Sequence, residues 1–517
     1  MVDTIWSEGY VTDTGYSHGY CSLLNPLSAE FTMLIEGLSG PPPGPCCELG
    51  FGQGLSIAIH AAAQPSRAWW GTDFNPAHVA NAQELVQASG VQAHIAEQSF
   101  AEFCTRDDLP DFAFIGLHGV WSWVSDANRQ LIVDFLRRKL MTGGVAMISY
   151  NMLPGWANML PLRDVLLQHA RWVSPTGRAE AQQLHAALEF ATQLFALDPI
   201  TLRNHPSLLQ QLQGMREQPY DYLIHEYMTR DWKPQMFSDL SQQLAQAKLS
   251  FACSAQLLDR VAELHVTSAQ KTLIDSIEHA AFRETVRDWI TENRFRVDLW
   301  SRGARRMNPI ERLRRIESAR VVLGIDKADV PTFMSGQHGN VRLPASALST
   351  VLDALATADR PTTLGELLGA AVEQGTDLDT TLSTIAMLVG MGAVYPAQND
   401  DEASAAREAT DRLNSHLLRR ATEQGDIKAL VSPVSAGGIP LSPAHQGLIA
   451  AYRSDDEPLE AWVLRVWENL LDNGGQVQDE AGKAVTEPEA ALALLRPLAE
   501  QVRMRWLPAL RRLQVVG

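Results

Sequence analysis

Glu48-Leu49-Gly50-Phe51-Gly52-Gln53-Gly54 is the stretch that decides the fold of this 517-residue chain. It follows a short apolar run, Pro45 to Cys47, and precedes apolar residues at helical spacing from Leu55 to Ala62. This order predicts a strand, a glycine turn and a helix, the arrangement of a loop that holds a nucleotide cofactor. Glycines permit the tight turn, and the free N–H groups at the helix start face the ligand.

The carboxylate before the glycines narrows the class of ligand. Dinucleotide enzymes use Gly-x-Gly-x-x-Gly, whereas this loop reads Gly-x-Gly-x-Gly. Glu48 would repel a pyrophosphate, but it suits a ligand that carries an amino group and a sulfonium. Asp73 ends a second predicted strand, where an acidic residue typically hydrogen-bonds a ribose diol. A plain glycine turn is the alternative interpretation of the loop.

Strands and helices continue to alternate after Asp73. Third, fourth and fifth strands are predicted over residues 91–95, 112–117 and 145–150, and a helix over residues 128–140 precedes the fifth. Such alternation predicts an α/β fold in which helices cover both faces of a parallel sheet.

The ordered motifs resemble those of class I S-adenosylmethionine-dependent methyltransferases. They are the glycine loop and residues 71–76 and 140–144. Residues 117–124, 149–156 and 225–227 are similar to bacterial methyltransferases that carry a methyltransferase regulatory domain. That group includes lysine methyltransferases of rickettsial outer-membrane proteins. The resemblance covers residues 1–310 well and implies a Rossmann-like seven-stranded sheet with S-adenosyl-L-methionine as cofactor.

Four domains are predicted from the resemblance and the helical patterns. The cofactor domain covers residues 1–260, with a helical insertion at 156–220 and its last strands at 222–227 and 249–253. The mainly α remainder comprises a regulatory domain, a winged-helix-like domain and a C-terminal helical domain, at 261–320, 321–400 and 401–517. We expect the winged-helix-like domain to dock protein rather than DNA, and residues 398–410 to form a linker.

The resemblance also implies which residues hold the cofactor. Glu48 would accept a hydrogen bond from the amino group, and Asp73 would accept from the ribose hydroxyls. The other predicted contacts come from the glycine loop and the strand ends: Gly50, Gly52, Gly54, Phe74, Gln98, Ser99, Phe100, Leu117 and His118. Ser99 departs from the family pattern, which has an acidic residue there, so the contact to the adenine amine stays open.

The predicted catalytic residues are His118, Trp121 and Tyr150. A lysine acceptor has a free pKa near 10.4, so a dry pocket or a proton acceptor must help it lose its proton. His118 could accept that proton, and Trp121, with Trp123, could form a channel by cation–π contact. Packing of His118 against the cofactor and ordinary core positions for the tryptophans are the alternatives.

Aromatic residues crowd the start of the chain. They are Tyr10, Tyr16, His18 and Tyr20. Such a segment could fold over the cofactor and close the pocket, or the residues could simply pack in the interior.

Composition excludes several classes of protein. A net charge of −17 argues against nucleic acid as partner, because phosphate binding needs a basic surface. The five cysteines lack zinc spacing, so no metal site is expected. Neither a signal peptide nor an uncharged apolar stretch of membrane length is visible, which predicts a cytoplasmic protein without a membrane partner.

The predicted function is methylation of lysine side chains on a protein substrate. The large regions beyond the sheet favour a macromolecular substrate over a small one. A small-molecule O- or N-methyltransferase with the same cofactor is the alternative, and a homodimer is a possible assembly. A third interpretation, a non-catalytic protein that keeps the fold, is disfavoured by the intact glycine loop and Asp73.

Overall fold

A seven-stranded sheet forms the centre of the structure, a computed structural model that describes residues 19–175, 179–478 and 484–516. The strands are β1 Cys46–Leu49, β2 Trp69–Asp73, β3 Ala93–Glu97, β4 Phe112–Leu117, β5 Leu140–Asn151, β6 Ser250–Ser254 and β7 Phe295–Ser301. They are arranged in the order β3-β2-β1-β4-β5-β7-β6. The first five are parallel and β7 is antiparallel to both of its neighbours. The α/β fold with a Rossmann-like seven-stranded sheet is confirmed.

Helices cover both faces of the sheet. α1 Pro26–Ile35 precedes β1, and the helices between the first five strands are α2 Leu55–Ala63, α3 Pro76–Ser89, α4 Phe100–Phe103 and α5 Asp126–Lys139. Neighbouring residues of a strand point to opposite faces. Cys46 therefore packs in the apolar cluster beneath α1, α2 and α3, whereas Cys47 packs in the cluster beneath α4 and α5. Burial on both faces explains why β4 is apolar throughout.

One of the last two predicted strands is observed and the other is wrong: the strand predicted at residues 249–253 is β6. Residues 222–227 do not form a strand: they lie in α11 Tyr220–Leu223 and in a π-helix, Ile224–Met228. Leu223, Ile224 and Tyr227 are buried in the core of the helical insertion, and their apolar spacing was mistaken for a strand. The strand that completes the sheet is β7, which was not predicted from the sequence. Its charged Arg296 is buried among carboxylates. The sheet thus extends past residue 260, where the cofactor domain was predicted to end.

The interval between β5 and β6 is helical, as predicted for residues 156–220. It contains α6 Leu153–Trp156, α7 Leu160–Trp172, α8 Glu180–Ala196, α9 Ile200–Asn204, α10 Ser207–Arg216, α11, the π-helix and α12 Phe237–Ala245. Helices α7, α8 and α10 share an apolar core of their own with Trp156 and Trp232.

Two further helical regions flank β7. Before it lie α13 Ala262–His265, α14 Ser268–Asp275 and α15 Ala280–Thr291, and after it lies α16 Pro309–Ser318. The next region combines helices with small sheets: β8 Arg320–Leu323, β9 Phe333–Gly336, β10 Gly339–Arg342, α17 Ala345–Ala358, β11 Thr362–Thr363, α18 Leu364–Glu373, α19 Leu378–Gly390 and β12 Val394–Ala397. Its resemblance to a winged helix stays a prediction.

The predicted linker at 398–410 is wrong, because the long helix α20 Asp400–Gln424 begins there. Asn399 caps this helix and acidic residues fill its first turn, which favours helix initiation. The remaining elements are β13 Ala429–Ser432, β14 Gly437–Pro440, α21 Pro443–Ala451, α22 Leu459–Asp472, β15 Val477–Gln478, β16 Ala484–Val485, α23 Pro488–Gln501 and α24 Leu507–Arg512. This region packs against α2 and α3 in one apolar core. Within the described ranges, no helix has both the length and the apolarity that a membrane span requires.

Candidate active site

A pocket opens where β1, β2, β3 and β4 end, at the carboxyl edge of the parallel strands. This is the expected position of a ligand site in such a sheet. Nine of the residues predicted from the sequence line it: Glu48, Gly50, Gly52, Asp73, Phe74, Gln98, Ser99, Phe100 and His118. Of the predicted residues, Gly54, Leu117, Trp121 and Tyr150 are absent from its lining.

The glycine loop has a shape that only glycine allows. Gly50, Gly52 and Gly54 all have positive φ angles, of 70°, 56° and 77°. A Cβ atom on Gly54 would lie 2.3 Å from the Ala82 Cβ of α3, and one on Gly50 would lie 2.6 Å from Val120. Gly50 and Gly52 thus border the pocket, whereas Gly54 lets α2 pack closely on α3.

Asp73 joins the glycine loop to the end of β2. Its Oδ2 accepts a hydrogen bond from the Gly52 N–H at 2.9 Å, and its Oδ1 accepts from the Asn75 N–H at 3.0 Å. His78 Nδ1 lies 3.2 Å from Oδ1. The carboxylate is therefore fixed in place at the border of the pocket, where its remaining lone pairs can accept from a pair of hydroxyl groups.

Glu48 places a buried carboxyl group at the border of the pocket. It is the last residue but one of β1, and 4% of the residue is exposed. Among the described residues, Oε2 has no hydrogen-bond partner. Burial, with a further contribution from the neighbouring Asp73 carboxylate, raises the pKa of Glu48 to about 8. A ligand ammonium placed here would relieve both effects, so the residue fits the amino group of the predicted cofactor.

The segment after β3 forms another side of the pocket. Ser99 caps α4, and Glu102 hydrogen-bonds back to the Ser99 N–H and hydroxyl, so this acidic side chain is committed to the cap. Gln98 is held by a hydrogen bond from Arg106 to its Oε1 at 3.2 Å. Phe100 adds an aromatic ring close to Gly50. An apolar ring beside a polar amide is suited to a nucleobase.

His118 lies at the opposite end of the pocket, directly after β4. Its side chain is open to the pocket, and its ring meets the edge of Phe295 at a centroid distance of 6.1 Å. The surrounding protein nevertheless removes enough water to lower the pKa of the imidazole. His118 is therefore neutral at pH 7 and able to accept a proton.

The prediction that Trp121 borders the pocket is wrong. Its side chain is fully buried, and its indole N–H donates to Gln235 Oε1 at 2.7 Å. Trp123 borders the pocket in its place. Residues 121–123 form a single turn of 3₁₀-helix, so the two rings point in different directions. From the sequence, either tryptophan could have lined the pocket, because nothing in their spacing showed which ring would be buried.

Tyr150 is also displaced from the predicted position. It is fully buried and its hydroxyl donates to the Asp298 carboxylate of β7. Asp298 in turn accepts from Arg296, whose guanidinium also binds Asp288 and Glu284. Burial and the adjacent Asp298 raise the pKa of Tyr150 well above its ordinary value. This residue belongs to a buried charge network behind the sheet and does not border the pocket.

Several lining residues were missed by the sequence reasoning. They are Cys21, Gln53, Ser56, His78, Asn128 and Asp231. Gln53 lay inside the quoted loop and could have been found there, whereas Asp231 is far from the other site residues in the chain. Tyr20 borders the pocket, and its hydroxyl lies 3.2 Å from His60 Nε2. The other aromatic residues of the predicted closing segment, Tyr10, Tyr16 and His18, lie outside the described residues.

Comparison with known proteins identifies relatives over the whole chain. A family model described as "predicted methyltransferase regulatory domain" matches residues 219–302. The uncharacterized protein sll1526 of Synechocystis sp. is 31% identical over 515 residues, which are 99% of both chains. The uncharacterized protein RP789 of Rickettsia prowazekii is 25% identical over 54% of this chain and 50% of its own.

One solved structure has a similar fold over nearly the full length. It is PKMT2 from Rickettsia typhi in complex with AdoHcy, with a TM-score of 0.70 at 16% identity, covering 97% of this chain and 99% of that one.

Proposed function

The chain belongs to the S-adenosylmethionine-dependent methyltransferases that carry a methyltransferase regulatory domain, and from this premise we propose that it methylates lysine side chains of a protein substrate. The observation that carries the proposal is the composition of the pocket. Its described lining contains three carboxyl groups, Glu48, Asp73 and Asp231, and neither lysine nor arginine. Such a lining favours cationic groups in both the cofactor and the acceptor.

The cofactor half of the pocket fits S-adenosylmethionine, which supplies an activated methyl group when bound. Glu48 would hold its amino group, Asp73 its ribose hydroxyls, and Phe100 with Gln98 its adenine. Gly50 and Gly52 would bring the backbone close to it. The protein then mainly orients the reactants and excludes water, because the methyl donor is already activated.

The acceptor half fits an amine that must lose a proton. The ammonium of lysine becomes less stable when it leaves water, so its pKa falls in a buried pocket. His118 is neutral at pH 7 and lies where a released proton could be taken up. The resemblance of residues 117–124, 149–156 and 225–227 to lysine methyltransferases of outer-membrane proteins supports the same acceptor.

A methyl-transfer assay tests the proposal. The protein is incubated with tritiated S-adenosylmethionine and either an unfolded outer-membrane protein fraction or a protein-free extract of small molecules. We expect label on lysine in the protein fraction, located by mass spectrometry, and a rate that rises from about pH 7 to 9 as more free amine forms. The Asp73→Ala variant serves as the control for cofactor-dependent label. Label confined to small molecules, or to side chains other than lysine, would overturn the lysine assignment.

A further inference from the structure

Residues 229–235 run from the π-helix to α12 across the acceptor half of the pocket; we call them the acceptor strap. The Lys233 N–H donates to the Ser122 carbonyl at 2.8 Å, and the Gln235 N–H donates to the Asn151 carbonyl at 3.0 Å. Trp121 donates to the side chain of Gln235 at 2.7 Å. The strap is therefore tied to the loop after β4 and to the end of β5, which makes it part of a fixed wall.

The middle of the acceptor strap is fixed in orientation as well. Trp232 is 7% exposed and packs against Trp156 at a ring distance of 5.0 Å, with the Arg163 guanidinium 4.4 Å from its ring. With Trp232 anchored in the insertion core, the preceding residue, Asp231, borders the pocket together with Trp123. The Asp231 side chain is 31% exposed and lies 3.2 Å from the exposed guanidinium of Arg230.

We propose that Asp231 and Trp123 form the part of the pocket that recognises the positive charge of the acceptor lysine. The inference rests on the proposed function and names a residue that determines its specificity. Glu48 and Asp73 lie in the cofactor half, which leaves Asp231 as the carboxylate of the acceptor half among the described lining residues. A carboxylate and an indole that border the same pocket can bind an ammonium by charge and by cation–π contact.

The position of Asp231 separates recognition from deprotonation. Asp231 is partly exposed and its pair with Arg230 is a surface pair, which an incoming cation can replace at little free energy. His118 lies where desolvation lowers the pKa of its imidazole. The ammonium would thus be selected at Asp231 and lose its proton at His118, two groups that border the same pocket.

Two peptide libraries of equal length test the inference, one with a central lysine and one with a central acetyl-lysine. Binding is measured in the presence of S-adenosylhomocysteine for the wild type, Asp231→Asn and Trp123→Leu, with Asp239→Asn as matched control. Asp239 is exposed on α12, just after the strap, and does not border the pocket. We expect wild type and the control to prefer lysine about tenfold, as for a charge-assisted contact. Asp231→Asn should abolish that preference, and Trp123→Leu should reduce it.

Parallel measurements distinguish the possible failures. Affinity for S-adenosylhomocysteine and the melting temperature should be unchanged in Asp231→Asn, which shows that the variant is folded. Its KM for the lysine library should rise while kcat changes little. An Asp231→Asn variant that still prefers lysine would overturn the role of Asp231 and leave lysine methylation standing. A wild type that shows no preference for lysine, and that methylates only other acceptors, would overturn the proposed function together with this inference.

Discussion

The two halves of the pocket are assembled in different ways. The cofactor half comes from residues 48–100, where three successive strands each end at the pocket. The acceptor half comes from residues 118–128 and from Asp231, which tertiary hydrogen bonds of the acceptor strap hold in place. The first half depends on short-range chain geometry and the second on long-range packing.

This difference has an energetic counterpart. In the cofactor half, Glu48 and Asp73 are neighbouring buried carboxyl groups, and burial together with Asp73 raises the pKa of Glu48, an effect that a ligand ammonium would offset. In the acceptor half, hydrogen bonds between supporting side chains hold the wall in place, as in the bond from Trp121 to Gln235. Substitutions in the first half should therefore change binding, whereas substitutions in the support of the second should change stability.

The largest effect is expected from Arg296→Leu, behind the acceptor half. Arg296 is 5% exposed and binds three carboxylates, those of Glu284, Asp288 and Asp298. Its removal would leave buried negative charges without a partner, so we expect a loss of about 3–5 kcal/mol in the free energy of unfolding. Denaturant titration measures this loss. The exposed Arg306→Leu is the control and should stay within about 0.5 kcal/mol of wild type.

A small effect of Arg296→Leu on the free energy of unfolding would contradict the expectation that substitutions in the support of the acceptor half change stability. It would mean that water or protonation of the carboxylates compensates for the lost guanidinium. The network would then contribute little to the position of β7 and of Phe295 beside His118.

The second effect concerns the cofactor half. Asp73→Ala should weaken binding of S-adenosylhomocysteine by about 1.5–3 kcal/mol, because charge-assisted hydrogen bonds to the ribose are lost. The Gly52 N–H also loses its acceptor, which loosens the glycine loop. Calorimetry measures the affinity, with Asp231→Asn as a carboxylate control in the acceptor half. Unchanged affinity in Asp73→Ala would remove this residue from the site.

The same contrast explains what could be predicted from the sequence. The glycine loop, Glu48 and Asp73 were identified because a strand, a turn and the next helix place them by local geometry alone. β4 was predicted with its observed bounds, since a strand buried on both faces is continuously apolar. Neighbouring parallel strands then bring their carboxyl ends together without further information.

The acceptor half was predicted poorly because its geometry is tertiary. Trp121 and Trp123 are equivalent in sequence, and only the hydrogen bond to Gln235 decides which ring is buried. Asp231 joins the pocket through a strap whose contacts lie far away in the chain. β7 was missed because Arg296 lies in an arginine-rich stretch, which from sequence alone indicates a solvent-exposed helix. Its burial is explained only by its carboxylate partners in the fold.

The third effect is a pH dependence in the cofactor half. The pKa of Glu48 is raised to about 8 in the folded protein, above its ordinary 4.5, so folding favours the protonated form. Glu48 therefore lowers stability as pH rises from about 4.5 through 8. Glu48→Gln lacks this titration, and its melting temperature should exceed that of wild type by a margin that grows towards pH 9.

Cofactor binding by Glu48→Gln should show the converse behaviour. In wild type, affinity for S-adenosylhomocysteine should rise between pH 6.5 and 8, because the ligand ammonium needs the ionised carboxylate. The variant should bind about tenfold more weakly at pH 8 and show little slope, since a charge-assisted hydrogen bond becomes a neutral one. Equal slopes for the two proteins would mean that another group binds the ammonium.

The smallest effect distinguishes the two tryptophans of the acceptor half. Trp121→Phe removes the indole N–H donor and leaves Gln235 Oε1 buried without it, so we expect a loss of about 1–2 kcal/mol in the free energy of unfolding. Trp123→Phe keeps an aromatic face at the pocket and should change stability by less than about 0.5 kcal/mol. Affinity for S-adenosylhomocysteine should be unaltered in both, because neither ring supports the glycine loop. Denaturant titration and calorimetry on the same samples measure the two quantities. If Trp121→Phe weakened cofactor binding as much as it lowered the free energy of unfolding, the two halves of the pocket would be coupled through β4. Residues that support the acceptor half would then also affect cofactor binding, against the expectation stated above.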